Sequence, residues 1–284
     1  YYHSDYPRAL KRTIRRFAGA FGEDLFSRSV ERYLTQLYNR MNVTVVATER
    51  LQSILEEMGV ERILRIPLGT DTDIFAPRDS REAVFREFGL DPDAILLMFA
   101  GRLAREKNVK ELMAMLDELA GEAKVHLLLV GDGEQRLKVQ IQSRLRKNLT
   151  WLPYCDTAER MADLYSASDY FVHAGTSETF GLVSLEAQAC GTPVIAVRHG
   201  GVDETLRGED DPLLAESSHA ADLADTLRSA LQRDRSPWDR PRRARRAKDI
   251  HSSRQTYSRL VAVYRGIHAG ADMDALREEV GRIA

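Results

Sequence analysis

The chain has 284 residues, 43% hydrophobic and 30% charged, enough for about two domains of ordinary size with a sizeable core, and its composition excludes collagen-like, low-complexity and wholly disordered classes. Its 41 basic and 43 acidic residues leave a formal charge of -2, which gives no bulk attraction to nucleic acid. The longest apolar run, Ala94–Ala100, has the length of a strand and not of a membrane span, and two cysteines, Cys155 and Cys190, supply neither a disulfide framework nor a zinc cluster, so a reducing, cytoplasmic setting is the default.

The chain opens Tyr1-Tyr2-His3 without an initiator Met or a signal peptide, as the later part of a longer protein would. Its first 40 residues read as helical and basic. Leu10, Ile14 and Phe17 form one apolar stripe, and Arg8, Lys11, Arg12, Arg15 and Arg16 crowd the rest. A second helical stretch spans about Ser27 to Asn39. Val43 to Ala47 is strand-like, and Thr48 is placed to cap a helix from Glu49 to Met58 that Gly59 ends. Arg62 to Pro67 reads as another strand, and Asp73 to Arg78 as a linker.

From there short apolar strands alternate with helices. Strands are expected at Ala94–Phe99, Val125–Val130, Leu149–Leu152, Tyr170–His173 and Val194–Val197. Helices are expected at Val109–Glu122, Gln135–Arg146, Glu159–Ala167, Leu182–Cys190 and Ala220–Gln232. Such alternation predicts an α/β fold with a parallel sheet covered on both faces. Ligands of these sheets bind beyond the carboxyl ends of the strands, so chemistry is sought just after each strand.

Three segments answer. Gly101-Arg102-Leu103-Ala104-Arg105-Glu106-Lys107-Asn108 places two cations five residues apart at a helix start, a pattern suited to a diphosphate. Gly131-Asp132-Gly133 follows the next strand and serves equally as a tight turn or as a close backbone approach to a ligand. A dinucleotide fingerprint would need a further Gly where Arg136 stands, which argues against an NAD-dependent oxidoreductase. The third segment runs from Ser177 to Pro193. Glu178 lies in a loop after a strand and Glu186 about one turn into the next helix, with the amides of Phe180-Gly181-Leu182 near both. A carboxylate accepts from paired hydroxyls, as on ribose or a hexose.

In this order the segments resemble the family 4 retaining glycosyltransferases with the GT-B fold. The carrying residues are Gly101-Arg102…Lys107-Asn108, Gly131-Asp132-Gly133, Glu178 and Glu186 with Phe180-Gly181-Leu182, and Gly191-Thr192-Pro193. Ile66 to Phe75 resembles the hinge between that family's two domains. The resemblance implies a Rossmann-like donor domain over 76–250, the tail of a second Rossmann-like domain over 1–75, and C-terminal helices over 251–284 that pack back toward the first domain. Roughly 100 residues of that first domain would precede the chain.

The resemblance also implies roles. Arg102 and Lys107 would hold the diphosphate of a UDP- or GDP-sugar. Glu186 would bind the ribose hydroxyls, and Glu178 would contact the donor sugar beside Gly101, Thr179, Phe180, Gly181 and Leu182. Gly131, Gly133 and Tyr154 would lie near the base, and His3 would approach the sugar. Asn108 departs from the family, which often has Gly there. No Asp-x-Asp motif accompanies the site, so neither a metal nor a cofactor is expected, and the acceptor would be a carbohydrate or a lipid-linked hydroxyl. A donor-binding fragment without turnover is the alternative. Arg233 to Lys248, with eight basic residues against two acidic ones, reads as a solvated face or, with Arg8–Arg16, as a contact with an anionic membrane surface.

Overall fold

The computed structural model describes residues 28–207, 211–233 and 239–283. His3 and the Arg8–Arg16 segment lie outside them. The described chain forms two compact units, 28–68 with 254–283 and 69–253. Residues 69–75 and 251–253 thus belong to the larger unit, where the boundaries read from sequence divided them off. The reason is local. Thr70 N donates to the His251 carbonyl at 2.9 Å and Ser253 N to the Thr70 carbonyl at 2.8 Å, while Phe75 meets Tyr165 edge-on at 6.1 Å.

In the smaller unit α1 covers 28–39, β1 is Thr44–Val46, α2 is Glu49–Glu57 and β2 is Ile63–Arg65. β1 and β2 pair in parallel. Thr48 caps α2 by accepting from Leu51 N at 3.2 Å. Val45, Leu64 and Ile66 pack against Val263 of α10 (Ser253–His268) and Val280 of α11 (Met273–Arg282).

The larger unit holds β3 (Ile95–Ala100), β4 (Val125–Val130), β5 (Leu149–Leu152), β6 (Tyr170–His173), β7 (Val194–Val197) and β8 (Leu213–Ala215). Its helices are α3 (Arg81–Phe88), α4 (Val109–Glu118), α5 (Arg136–Leu145), α6 (Ala158–Ala167), α7 (Leu182–Ala189), α8 (Ala220–Gln232) and α9 (Asp239–His251). The strands form one parallel sheet in the order β5-β4-β3-β6-β7-β8. Alternate residues feed two cores. Leu97, Phe99, Leu127 and Leu129 face α4 and α8, and Leu96, Met98, Leu128 and Val130 face α3, α6 and α7. Counted within this unit the order is third, second, first, fourth, fifth, sixth. The order reverses between β3 and β6, and that switch point is where a doubly wound sheet opens a crevice for ligand.

The basic run near the C-terminus divides: Arg242, Arg245 and Lys248 are exposed, whereas Arg240, Arg243 and Arg246 turn toward the body of the unit. The Arg240 guanidinium donates to the Ser166 carbonyl at 2.7 Å and also to that of Ser168. Arg243 donates to the Gly191 carbonyl at 3.2 Å, and Arg246 to the Arg207 carbonyl. These arginines satisfy carbonyls at the ends of α6, of α7 and of the 3-10 turn Asp203–Leu206, as cations at helix C-termini do. They bind α9 to the body of the unit. Among the described residues no helix is long and apolar enough to cross a membrane.

Candidate active site

The loop after β3 leads from Gly101 through a short 3-10 turn, Arg105–Lys107, into α4. Asn108 sits at the junction with φ +52°, in the left-handed region. Asn is among the few side-chain-bearing residues that tolerate this region. Its Nδ2 donates to the Ala174 carbonyl at 2.8 Å. The departure from Gly therefore keeps the backbone turn and adds a tie to the loop after β6.

That tie brings Lys107 beside Glu178, and the two form an ion pair with side chains 18% and 19% exposed. His173, the last residue of β6, is 1% exposed, with Nε2 3.5 Å from Glu178 Oε2. Its Nδ1 has no hydrogen-bond partner, and Nε2 reaches Glu178 only at this long distance. Burial alone would raise the Glu178 pKa, but His173 and the Lys107 ammonium outweigh it and bring the carboxyl down to about 2. Glu178 is thus an anion clamped by a cation. Behind it the loop after β7 closes in: a Cβ on Gly201 would overlap the Glu178 carbonyl, and the Asp203 carboxylate accepts from His199 N at 2.8 Å and Gly201 N at 3.1 Å.

Glu186 stands in α7, whose N-terminus carries no side-chain cap. Gly181 precedes it with φ +87°, and a Cβ there would come within 2.7 Å of Val202 Cγ2, so both backbone and packing demand glycine. The Tyr165 phenol, from α6, donates to Glu186 Oε2 at 2.9 Å. Burial raises the Glu186 pKa, and this bond offsets part of the rise. Tyr165 itself is fully buried. Burial first, then the neighbouring Glu186 charge, push its pKa well above the ordinary phenol value.

The remaining sequence candidates divide. Thr179 N donates to Glu178 Oε1 at 3.3 Å, Phe180 is buried and meets His251 edge-on at 6.3 Å, and Leu182 opens α7. Arg102 is 70% exposed and pairs with Glu106 Oε1 at 2.5 Å. The loop after β4 is not a free glycine turn. A Cβ on Gly131 would overlap the Gly101 carbonyl, Gly101 N donates to the Val130 carbonyl at 3.0 Å, and Leu103 N donates to that of Asp132 at 2.9 Å. The two loops pack backbone to backbone. Tyr154, beyond β5, is 72% exposed. No group of three or more His, Cys, Asp or Glu side chains converges as a metal would require among the described residues.

Sequence reasoning missed His173, Tyr165 and the Gly201–Asp203 brace. A His closing a buried strand was a usable signal. Tyr165 stands 21 residues before Glu186, and only the fold brings them together.

Residues 80–249 match the family described as glycosyl transferases group 1. The chain belongs to that family. It is 33% identical over 221 residues to a D-inositol 3-phosphate glycosyltransferase of Pseudarthrobacter chlorophenolicus, covering 75% of this chain and 51% of that protein. A D-inositol 3-phosphate glycosyltransferase of Mycobacteroides abscessus matches at 33% over 210 residues, with 69% and 46% covered. The chain spans about half the length of these curated relatives. Among solved structures, a sucrose-phosphate synthase from Thermosynechococcus elongatus superposes with a TM-score of 0.75 at 25% identity, covering 95% of this chain and 67% of that one. Anabaena HepE, solved in complex with UDP, also reaches 0.75, at 20% identity over 84% of this chain and 68% of that one. The group 1 glycosyl transferase fold is thus the GT-B type, and family membership displaces the oxidoreductase alternative.

Proposed function

We propose that this group 1 glycosyl transferase chain carries the donor-binding half of a retaining enzyme that moves a sugar from a uridine diphosphate donor to an acceptor hydroxyl. The observation that carries this reading is the Lys107–Glu178 pair, set at the β3/β6 switch point beside the uncapped N-terminus of α7. HepE, solved with UDP-glucose at 21% identity and a TM-score of 0.64 over 91% of this chain and 68% of that one, supports uridine over guanosine. The D-inositol 3-phosphate glycosyltransferases support a polyol or carbohydrate hydroxyl as acceptor.

In the reaction the bond from the anomeric carbon to the phosphate oxygen breaks, and its electron pair leaves with the diphosphate. The acceptor oxygen bonds to the same carbon, and its proton passes to the departing diphosphate. The barrier is charge on the leaving group and on the oxocarbenium-like carbon. Lys107 and Arg102 meet the first charge, with the α7 amides beside them. Each cation is already paired, Lys107 with Glu178 and Arg102 with Glu106, so the diphosphate competes with a carboxylate that stays near the sugar. Glu178, ionised at about 2, places its negative charge where positive charge grows on the sugar. Glu186 offers the ribose diol the oxygen that Tyr165 does not hold. The leaving-group charge is met by these side chains, and a chelator is expected to leave turnover unchanged.

Calorimetry with UDP, GDP and NADH, run beside a transfer assay on the same chain, tests the proposal. UDP binding that is lost in Lys107→Ala supports it. Tight NADH binding without UDP binding overturns it, and UDP binding without transfer assigns the chain to the donor half alone.

A further inference from the structure

α5 is turned inside out relative to an ordinary covering helix. Val139 is its buried residue, whereas Leu137, Ile141 and Leu145 are 68%, 48% and 73% exposed. At about 100° per residue these three fall in one stripe roughly 80° wide, on the side opposite Val139. Lys138 flanks the stripe on one edge and Arg144 on the other. Lys147, just past the helix, is also exposed. α5 contains no acidic residue. The acids before it are engaged elsewhere: Asp132 pairs with Arg136 at 3.1 Å, and Glu134 accepts from Arg105 N at 2.9 Å. Scattered single apolar residues on a surface need no explanation, but a contiguous stripe between cations does.

We propose that α5 docks the protein on an anionic lipid surface, with Leu137, Ile141 and Leu145 entering the headgroup boundary while Lys138, Arg144 and Lys147 meet lipid phosphates. An apolar strip edged by Lys and Arg is the pattern of an interfacial helix, and such cations gain from a negative leaflet. A second copy of the chain fits less well, because a two-fold contact through this stripe sets basic edges against basic edges. The site is separate from Lys107, Glu178 and Glu186, and from the carbonyl-binding arginines of α9.

Flotation of the whole chain with phosphatidylcholine vesicles, with and without phosphatidylglycerol, tests this. The protein is expected to float with the anionic vesicles only and to be released by salt. Lys138→Gln with Arg144→Gln should weaken binding roughly thirtyfold, about fivefold per cation. Leu137→Gln, Ile141→Gln and Leu145→Gln together should abolish it, with melting temperature and UDP binding unchanged. Three results overturn the proposal: no flotation at low salt, undiminished flotation of the triple variant, or a dimer in sedimentation that the triple variant dissolves. UDP binding on the same samples is a separate readout, so failure here is distinguishable from failure of the donor-site reading.

Discussion

Tyr165, a fully buried residue of α6, donates a hydrogen bond from its hydroxyl to Glu186 Oε2 at 2.9 Å, and its own backbone carbonyl accepts from Thr192 Oγ1 at 2.6 Å. The phenol is fixed from both ends, so one oxygen of Glu186 is spent on orientation and the other is left for a ligand. Tyr165→Phe keeps the packing and removes the bond. UDP affinity is expected to fall by about tenfold or more, the scale of a hydrogen bond to a charged group, and 2'-deoxy-UDP should show a much smaller drop. Equal losses for both nucleotides in calorimetry would mean that Tyr165 is structural only.

The same pair sets a pH dependence. Burial raises the Glu186 pKa above the ordinary carboxyl value, so acidification neutralises Glu186 before an ordinary glutamate, and UDP affinity should decline on that limb. The bond from Tyr165 lowers the Glu186 pKa, hence Tyr165→Phe moves the decline to higher pH, and Glu186→Gln removes it. Binding measured across the acid range reads all three.

Glu178 goes the other way. Its pKa falls from the ordinary value to about 2, so the pair with Lys107 stabilises the fold above about pH 4.5 and loses that contribution as the pH drops toward 2. Lys107→Ala leaves a largely buried carboxylate without its cation and should cost roughly 1–3 kcal/mol at neutral pH. Lys107→Ala with Glu178→Gln should recover most of the stability but not the donor affinity. A double-mutant cycle by denaturant titration shows whether the two are coupled.

At Asn108 the backbone and the side chain are separable. Asn108→Gly keeps the left-handed turn and loses the bond to the Ala174 carbonyl. Asn108→Ala loses the bond and strains the turn, so it should be the less stable variant, by about 1 kcal/mol. Thermal melts of the three proteins rank them.

Arg240→Ala removes two hydrogen bonds to carbonyls at the end of α6. It should lower the melting temperature and leave vesicle binding as it was, the reverse of the α5 variants.

Much of this was legible in the sequence. Val125 to Val130 is apolar at every position but His126 because both faces of β4 are buried, and the pattern marks it as a strand without help from its neighbours. Glu178 and Glu186 stood out because glycine, a helix start and two carboxylates share one short segment. What stayed hidden depends on pairing across the chain. β8 is three residues long and owes its existence to β7 beside it. α3 is short, and only its burial of Val84 and Phe85 distinguishes it from a polar connection. Arg240, Arg243 and Arg246 look like a solvated basic face until the carbonyls of other helices are placed against them. Asn108 looked like a departure, because residue identity alone does not disclose the sign of φ.

The contact between Gly101 and Gly131 has a consequence for engineering. Where one loop's carbonyl fills the space another loop's side chain would need, the two are a single mechanical part. Grafting a different loop after β4 to change base preference would force the loop after β3, and with it the Lys107 turn, out of place. Under the proposed donor-binding reading, swaps intended to alter the nucleotide should therefore carry both loops together, or alter only exposed side chains such as Tyr154.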